Sequence, residues 1–249
     1  MTGVLPIALD RATRIVQVLL KAGKEYVALM HLHKEIPKQK VKNILKSFVG
    51  KIKQMPPKRS AIKRRIRERE IYYLNVLEID GKDVLFRIGC EAGFYIRKFI
   101  HDVGKRIGCG AHMQQLIRTK VGPFNDKQWC SLVDLKDAYM FWKENKDEKL
   151  IRKCVFPFEK AVEHIPKVWV LDTAVDKICH GADVYVGGVS KVETGINKND
   201  MVAVMSLKNE LICYGVSLMT TEDVIGKEKG KAIKTKKVFM ERRVYKIKL

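Results

Sequence analysis

Two histidines and a group of glycines are the first residues whose types could perform chemistry. His31 and His33 fall on one face of a predicted strand and could both bind a metal, but no third ligand lies near them in the sequence. Gly104, Gly108 and Gly110 could surround a phosphate, but they lack the residue order of a phosphate-binding loop. We therefore predict structural roles for these residues and no metal site.

A strongly basic segment between Lys34 and Arg69 is the clearest functional signal. It contains 14 Lys and Arg residues against two Glu, so more than half of the net charge of the chain lies here. Pro56 and Pro57 favour an extended entry into its densest part, which we predict to be a loop or arm. The candidate phosphate-binding residues there are Lys58, Arg59, Lys63, Arg64, Arg65 and Arg67. The alternative is a solvated cationic face that binds nothing.

Composition narrows the class of protein. The 249 residues include 49 Lys and Arg against 28 Asp and Glu, a net charge of +21, and 46% are hydrophobic, which excludes global disorder. The apolar runs are too short to span a bilayer, and no secretory signal is visible. Six cysteines, at least 19 residues apart, favour a reducing cytoplasm over a disulfide framework. An excess of positive charge of this size indicates a polyanionic partner, usually nucleic acid.

Hydrophobic periodicity predicts the elements of the first two thirds of the chain. We expect a helix over 12–21 with Asp10 as N-cap, and the Asp80-Gly81 dipeptide should close a hairpin. The remaining predictions are a strand over 26–33, a helix over 41–48, hairpin strands over 71–79 and 83–89, a strongly amphipathic helix over 96–107, and mostly helix over 125–165.

The pattern of predicted elements changes near Val168, where short strand-like runs begin to dominate. A short helix over 173–180 precedes four strand-like runs, which we predict over 183–189, 201–207, 211–218 and 232–240. Short strands at this spacing indicate a small β-rich second domain. Pro157 and Pro166 bracket the predicted boundary.

Five motifs, taken in order, resemble those of a known family. They are Thr2-Gly3-Val4-Leu5-Pro6, Gly23-Lys24-Glu25-Tyr26, Pro56-Pro57-x-x-Ser60-Ala61-x-Lys63, Cys90-Glu91-Ala92-Gly93-Phe94-Tyr95-Ile96-Arg97 and Gly110-Ala111-His112-Met113-x-x-Leu116-x-Arg118. The series resembles the TruB/dyskerin pseudouridine synthases, in particular the archaeal guide-RNA-dependent member, the catalytic subunit of H/ACA ribonucleoproteins. The tail, with Lys167-Val168-Trp169 and His180-Gly181-Ala182-Asp183, resembles the PUA domain of that family.

The resemblance implies a fold and a domain division. We expect an α+β protein: a mixed-sheet pseudouridine synthase domain over residues 1–165, followed by a small all-β PUA pseudo-barrel over residues 166–249. Its loop His180, Gly181 and Ala182 is then expected to contact RNA, as is Arg118 in the synthase domain.

The resemblance also implies a chemistry, the isomerisation of uridine to pseudouridine without a cofactor. The family uses a nucleophilic Asp, an Arg that pairs with it and a Tyr that lies against the flipped base. Tyr26 and Arg97 match the last two, and Leu116 matches a pocket-lining position. Arg97 has no acidic residue four positions on, where His101 stands, which suits a guanidinium aimed at a carboxylate elsewhere. The alternatives are an ordinary strand aromatic and a surface arginine.

The nucleophile itself has no counterpart in the sequence. In the family the Asp stands in a Gly-Thr-Leu-Asp-Pro stretch just before Thr-Gly-Val-Leu, which here is residues 2–5, so the Asp would precede Met1. Asp10 falls beyond the motif. We therefore expect this chain by itself to be inactive, either because its N-terminus is truncated or because it is a non-catalytic relic.

The expected partners follow from the resemblance. They are an H/ACA guide RNA, substrate rRNA and the small protein subunits of the ribonucleoprotein, in an archaeal cytoplasm, with neither DNA nor a membrane involved. Guide-independent modification of tRNA is one alternative. The other is a non-catalytic RNA-binding homologue that docks structured RNA through the PUA domain and the basic loop.

Overall fold

Two separate sheets organise the chain. The structure is a computed structural model that describes residues 2–56, 63 and 65–245. The chain divides into two compact units, Met1–Ile7 with Val18–Val155 and Ala8–Gln17 with Phe156–Leu249. Each unit has its own hydrophobic core.

The first sheet is mixed, as the sequence predicted. Its strands are β1 (Thr2–Gly3), β2 (Lys24–Leu32), β3 (Gly50–Gln54), β4 (Arg67–Asp80), β5 (Asp83–Cys90), β6 (Ala111–Val121) and β7 (Phe124–Asn125). They lie in the order β1-β6-β2-β5-β4-β3, and β7 pairs with β6. Strand β1 runs parallel to β6 and the other pairs are antiparallel. The predicted hairpin is β4–β5, where Gly81 has a φ of +50° in the turn.

Two of the helices in this part of the chain share the core on one face of the sheet. The helices up to residue 155 are α1 (Val16–Lys21), α2 (Lys38–Lys46), α3 (Ile96–Ile107), α4 (Leu132–Asn145) and α5 (Ile151–Cys154). Helix α3 has the predicted bounds, and its apolar face buries Phe99, Ile100 and Val103 in the core that it shares with β2, β5 and α2. The alternation of β2 buries Ala28 and Met30 in the same core, so this face of the sheet is the one that α3 packs on.

The second unit is a β-rich fold around a smaller core. Its strands are β8 (Lys167–Val170), β9 (Val184–Tyr185), β10 (Val189–Val192), β11 (Met201–Met205), β12 (Leu211–Ser217) and β13 (Lys231–Val238). They lie in the order β10-β8-β11-β12-β13-β9. The helices of this part are α6 (Phe158–Ala161), α7 (Asp172–Cys179) and α8 (Thr221–Gly226).

Some local predictions were wrong in detail. The helix predicted over 12–21 begins as a 3₁₀-helix, Asp10–Ile15, whose N-cap is Leu9, and Asp10 has a φ of +46° without a side-chain capping bond. The strand predicted over 183–189 is interrupted after Tyr185 by the 3₁₀ turn Val186–Gly188. In both places a short 3₁₀-helical segment replaces regular structure, and the hydrophobic periodicity of the sequence does not distinguish so short a segment.

Strand β6 was not predicted from the sequence. It carries several polar residues, among them His112, Gln114 and Lys120, and shows no clean apolar alternation. It is a strand because its backbone pairs with β2 along nearly its whole length and with β1 on its other edge. The candidate residues Leu116 and Arg118 therefore lie next to Tyr26.

Candidate active site

Tyr26 and Arg118 face each other across neighbouring strands. They are register partners on β2 and β6, so strand pairing places the two side chains next to each other on one face of the sheet. Burial raises the pKa of Tyr26 above its usual value, although Arg118 acts in the opposite direction. Tyr26 is therefore a neutral phenol at physiological pH, which suits a ring that lies against a base.

The segment before Leu5 is tied to the same strand. Gly3 pairs with Arg118, the Val4 amide donates to the Arg118 carbonyl (2.7 Å), and Arg118 Nε donates to the Val4 carbonyl (2.7 Å). Gly3 has a φ of +111°, and a Cβ at this position would lie 2.2 Å from the Arg118 carbonyl oxygen. Only glycine permits this approach. The Thr-Gly-Val motif thus holds the backbone and the guanidinium of Arg118 in place beside Tyr26.

Leu116 completes a group of three side chains on one sheet face. It pairs with Ala28, two residues from the Tyr26–Arg118 pair, so strand alternation puts Leu116 and Arg118 on the same side. Tyr26 and Leu116 are half-buried against the core that contains Ile96 and Phe99 of α3. The structure therefore brings together the candidate aromatic, the candidate lining residue and one candidate cation.

Arg97 is an exposed cation without a partner in the described part of the chain. It is the second residue of α3, directly after Ile96, which belongs to the core that Tyr26 packs against. Its guanidinium forms no ion pair or hydrogen bond with any residue of 2–56, 63 or 65–245, whereas the adjacent Lys98 pairs with Asp102. A guanidinium left unpaired at the start of a helix is available to an anion that the described residues do not supply.

The two residues before Tyr26 have structural roles that the sequence did not reveal. The Lys24 ammonium donates to the carbonyls of Leu19, Leu20 and Ala22, at 3.2, 2.8 and 2.7 Å, and so caps the C-terminal end of α1. Burial lowers the pKa of Lys24. A cationic residue just after a helix is the signal that could have predicted this cap.

Glu25 points to the opposite face from Tyr26 and ties four strands together. Its carboxylate accepts hydrogen bonds from Tyr73 and Thr119, both at 2.6 Å, and from Arg87 at 3.5 Å. Burial alone would raise the pKa of Glu25, but the bonds from Thr119 and Tyr73 and the charge of Arg87 hold it below its usual value. Burial and the bond to Glu25 raise the pKa of Tyr73 to about 12. Glu25 is thus a structural anion with its donors already in place.

The basic segment is described only in part. Lys58, Arg59 and Arg64 lie outside the described residues. Lys63 and Arg65 are exposed, and Arg67 is the half-exposed first residue of β4, opposite Gln54 of β3. Of the six candidate phosphate-binding residues, Lys63 and Arg65 are therefore the described ones that are exposed to solvent.

One other cation of this segment is already neutralised. Arg69 pairs with Glu91 at 3.2 Å, in the turn that joins β5 to α3. It therefore supports the turn that precedes Arg97 and is less accessible to a ligand than Lys63 or Arg65.

The predicted RNA-binding loop of the second unit is exposed and rigidly anchored. His180 follows α7, its Nδ1 lies 2.8 Å from the Asp176 carbonyl oxygen, and Gly181 has a φ of +95°. The Ala182 carbonyl accepts from the Thr235 hydroxyl at 2.8 Å, which fixes the loop to β13. The exposed surface of His180, Gly181 and Ala182 is therefore presented by a fixed backbone.

The two histidines considered as metal ligands have other partners. His31 Nδ1 lies 2.7 Å from the Asp83 carboxylate, and His33 Nε2 lies 3.2 Å from His112 Nδ1. His112 comes from β6, which explains why sequence spacing missed it. Among the described residues, no three His, Cys, Asp or Glu side chains are arranged to hold a metal ion. No described helix is long and apolar enough to cross a membrane.

The fold and the site define a class, an RNA-modifying synthase domain joined to a PUA domain. Three family models match along the chain, and their descriptions agree with that class. The TruB family pseudouridylate synthase N-terminal domain matches residues 1–96, the tRNA pseudouridylate synthase B C-terminal domain matches 97–163, and the PUA domain matches 166–239. The chain belongs to the TruB family of pseudouridine synthases, which confirms the resemblance drawn from the motifs.

Similar proteins and solved structures support this assignment. The chain is 54% identical to a probable tRNA pseudouridine synthase B of Pyrococcus abyssi, covering 98% of this chain and 73% of that protein. It is 52% identical to the protein of the same description from Methanothermobacter thermautotrophicus, covering 98% and 75%. A chain in the crystal structure of a Cbf5-Nop10-Gar1 complex is 54% identical, with a TM-score of 0.93 over 98% of this chain and 74% of that one. A chain of an H/ACA RNP bound to a substrate RNA containing 2′-deoxyuridine is 51% identical, with a TM-score of 0.89 over 98% and 74%.

Proposed function

We propose that this chain isomerises uridine to pseudouridine in rRNA as the catalytic subunit of a guide-RNA-directed ribonucleoprotein. The observation that carries the proposal is the position of Arg97, which pairs with none of the described residues and stands at the start of the helix that packs on the sheet face of Tyr26, Leu116 and Arg118. The similarity to a protein solved with Nop10 and Gar1, and to one solved in an H/ACA RNP with substrate RNA, supports the guide-directed form of the activity.

The reaction rearranges atoms within one nucleotide. The C1′–N1 bond breaks, the uracil rotates, a C1′–C5 bond forms, the proton on C5 leaves and N1 gains one. Tyr26 lies against the flipped base, Leu116 lines the pocket, and Arg97 pairs with the nucleophilic carboxylate. Arg118 stands beside Tyr26 on the neighbouring strand, and its bond to the Val4 carbonyl holds its guanidinium in place.

The nucleophilic carboxylate is proposed to come from outside residues 1–249. In the described part of the chain, no Asp or Glu pairs with Arg97, and the half-buried Glu25 is engaged by Tyr73 and Thr119. These residues by themselves are therefore expected to bind RNA without turning it over. The small ribonucleoprotein subunits and the guide RNA are the proposed partners, and guide-independent action on tRNA is the alternative substrate arrangement.

The test is pseudouridine formation by a protein in which the family stretch Gly-Thr-Leu-Asp-Pro is joined ahead of Thr2. With guide RNA and partner subunits, we expect pseudouridine in rRNA from this protein and none from residues 1–249 alone. Substituting Arg97→Ala should abolish turnover, because the carboxylate loses its cation. The matched control is Lys105→Ala, which removes an exposed cation two turns further along α3 and should change nothing.

Three outcomes would contradict parts of the proposal. Unchanged turnover in the Arg97→Ala protein excludes the proposed role of Arg97. Modification of tRNA without a guide replaces the guide-directed assignment. Tight RNA binding without turnover in the extended protein favours the non-catalytic homologue.

A further inference from the structure

Gln54 is a buried amide at the end of a strand. It is the last residue of β3, which lies at the edge of the first sheet, yet its relative exposure is only 2%. A buried side-chain amide is costly unless its donor and acceptor are both satisfied. The partners of Gln54 therefore show what the residue does.

Both polar atoms of Gln54 bind the same backbone residue, Tyr95. The Tyr95 amide donates to Gln54 Oε1 at 3.0 Å, and Gln54 Nε2 donates to the Tyr95 carbonyl at 3.3 Å. The planar amide thus forms a two-point contact resembling the pairing of neighbouring strands. Two bonds in one plane fix orientation as well as distance.

Tyr95 is the residue from which α3 starts. It is the N-cap, with φ −106° and ψ 96°, and its own side chain forms no capping bond. Its carbonyl also accepts the first intrahelical bond, from the Phe99 amide at 3.0 Å. Gln54, on β3, therefore holds the backbone of the N-cap residue in place. In other helices a capping side chain at the N-terminus has this stabilising role.

We infer that Gln54 is a positioning residue for Arg97, an inference that rests on the proposed function. Arg97 lies two residues after Tyr95 and has no described partner of its own, so its position depends on the start of α3. The two bonds of Gln54 to Tyr95 thus fix the start of the helix that carries Arg97.

The test compares two substitutions in the protein that carries Gly-Thr-Leu-Asp-Pro ahead of Thr2, assayed with its guide RNA and partner subunits. Gln54→Leu removes both bonds to Tyr95, and Gln54→Glu keeps the acceptor but loses the donor while the carboxylate is charged. The matched control is Gln39→Glu, the same change on the exposed face of α2, where the Gln39 amide donates to Asn43 four residues further along the same helix.

We expect Gln54→Leu to lower kcat by about tenfold to a hundredfold, because a small misplacement of a catalytic group has effects of this size. The KM for RNA should stay unchanged, since the RNA-binding surfaces are intact. For Gln54→Glu, the ratio of its kcat to that of the unsubstituted protein should rise as the pH falls, because a protonated carboxyl can again donate to the Tyr95 carbonyl. Hydrogen exchange at the Tyr95 amide should be faster in the Leu variant.

A purely structural role predicts a different pattern. The inference is overturned if activity falls only in proportion to the folded fraction, with kcat and KM both affected and no recovery of the Gln54→Glu protein at low pH. Faster exchange at the Tyr95 amide with an unchanged kcat overturns it as well. The proposed function fails separately. If Arg97→Ala leaves turnover unchanged while Gln54→Leu still accelerates exchange at Tyr95, the contact stands and the role of Arg97 is wrong.

Discussion

At the scale of single residues, one face of β2 carries a proposed catalytic side chain and the other carries a structural one. Tyr26 lies on the face that α3 covers, and Glu25 lies on the opposite face, where it joins β2 to β4, β5 and β6. Alternation along one strand therefore places a predicted catalytic aromatic directly beside a structural carboxylate. The position of Tyr26 depends on strands that Glu25 holds together.

The depressed pKa of Glu25 leads to a prediction about pH. Because the folded-state pKa lies below the unfolded value, Glu25 stabilises the fold fully above the unfolded pKa, and this contribution is lost as the pH falls through the folded pKa. We expect Glu25→Gln to lower the free energy of unfolding at neutral pH and to flatten its decline in acid. Urea unfolding between neutral and acidic pH measures both effects.

The control for this prediction is Glu144→Gln on the exposed surface of α4. It makes the same chemical change at a site without the Tyr73 and Thr119 donors, so the acid profile should match that of the unsubstituted protein. An unaltered profile in the Glu25→Gln protein would mean that the hydrogen-bonded carboxylate does not contribute to stability.

At the scale of elements, α3 packs closely against β6, the strand that carries Leu116. Gly104 lies in α3, and a Cβ there would come within 2.2 Å of the Ala111 amide nitrogen at the start of β6. The helix can approach the strand this closely only where it lacks a side chain. The packing of these two elements therefore depends on one glycine.

This contact reverses the usual effect of a helical Gly-to-Ala substitution. Alanine is favoured over glycine in a helix by about 1 kcal/mol, but an overpacked contact costs roughly 1–3 kcal/mol. We expect Gly104→Ala to destabilise the first unit and to lower its melting temperature. In Gly226→Ala, at the end of α8, the added Cβ meets no atom within 4 Å, so stability should stay the same or rise. A stabilised Gly104→Ala protein would contradict the close approach.

The elements also show what the sequence could predict. Helix α3 and the β4–β5 hairpin were predicted because apolar periodicity and the Asp80-Gly81 turn are local signals. Strand β6 was not, because its polar residues hide a strand defined by backbone pairing with β1 and β2. Tyr26, Leu116 and Arg118 were found through motifs, but their position on one face could only be seen once β6 was placed.

The contacts of Gln54 and Lys24 could not be predicted from the sequence for a related reason. Gln54 bonds Tyr95, which is 41 residues away, and this partner depends on the fold of the whole first unit. Lys24 contacts carbonyls only two to five residues away, but the exact end of α1 decides whether they are free. Long-range pairing and helix ends are both set by tertiary structure, which residue patterns report only indirectly.

At the scale of the whole molecule, the net charge of +21 is the property that a partner meets first. Part of the basic segment is neutralised within the fold, since Arg69 pairs with Glu91 and Lys51 lies 3.8 Å from Glu68. Lys63 and Arg65 are exposed and form no described ion pair. The accessible charge is therefore smaller than the count suggests, and the exposed pair is where phosphate contact can be tested.

The last prediction concerns the salt dependence of RNA binding. If Lys63 and Arg65 contact phosphates, the double substitution Lys63→Ala and Arg65→Ala should weaken binding and lower the slope of log affinity against log salt by roughly 0.7–0.9 per lost contact, because fewer counterions are released. The matched control, Lys136→Ala with Lys143→Ala, removes the same charge from the exposed surface of α4. Its slope should stay close to that of the unsubstituted protein, because a long-range charge effect is screened within about 10 Å at 0.1 M salt. Equal reductions in both variants would mean that the two residues act only through the total charge, and an unchanged slope in the first would identify the described part of the segment as a solvated face.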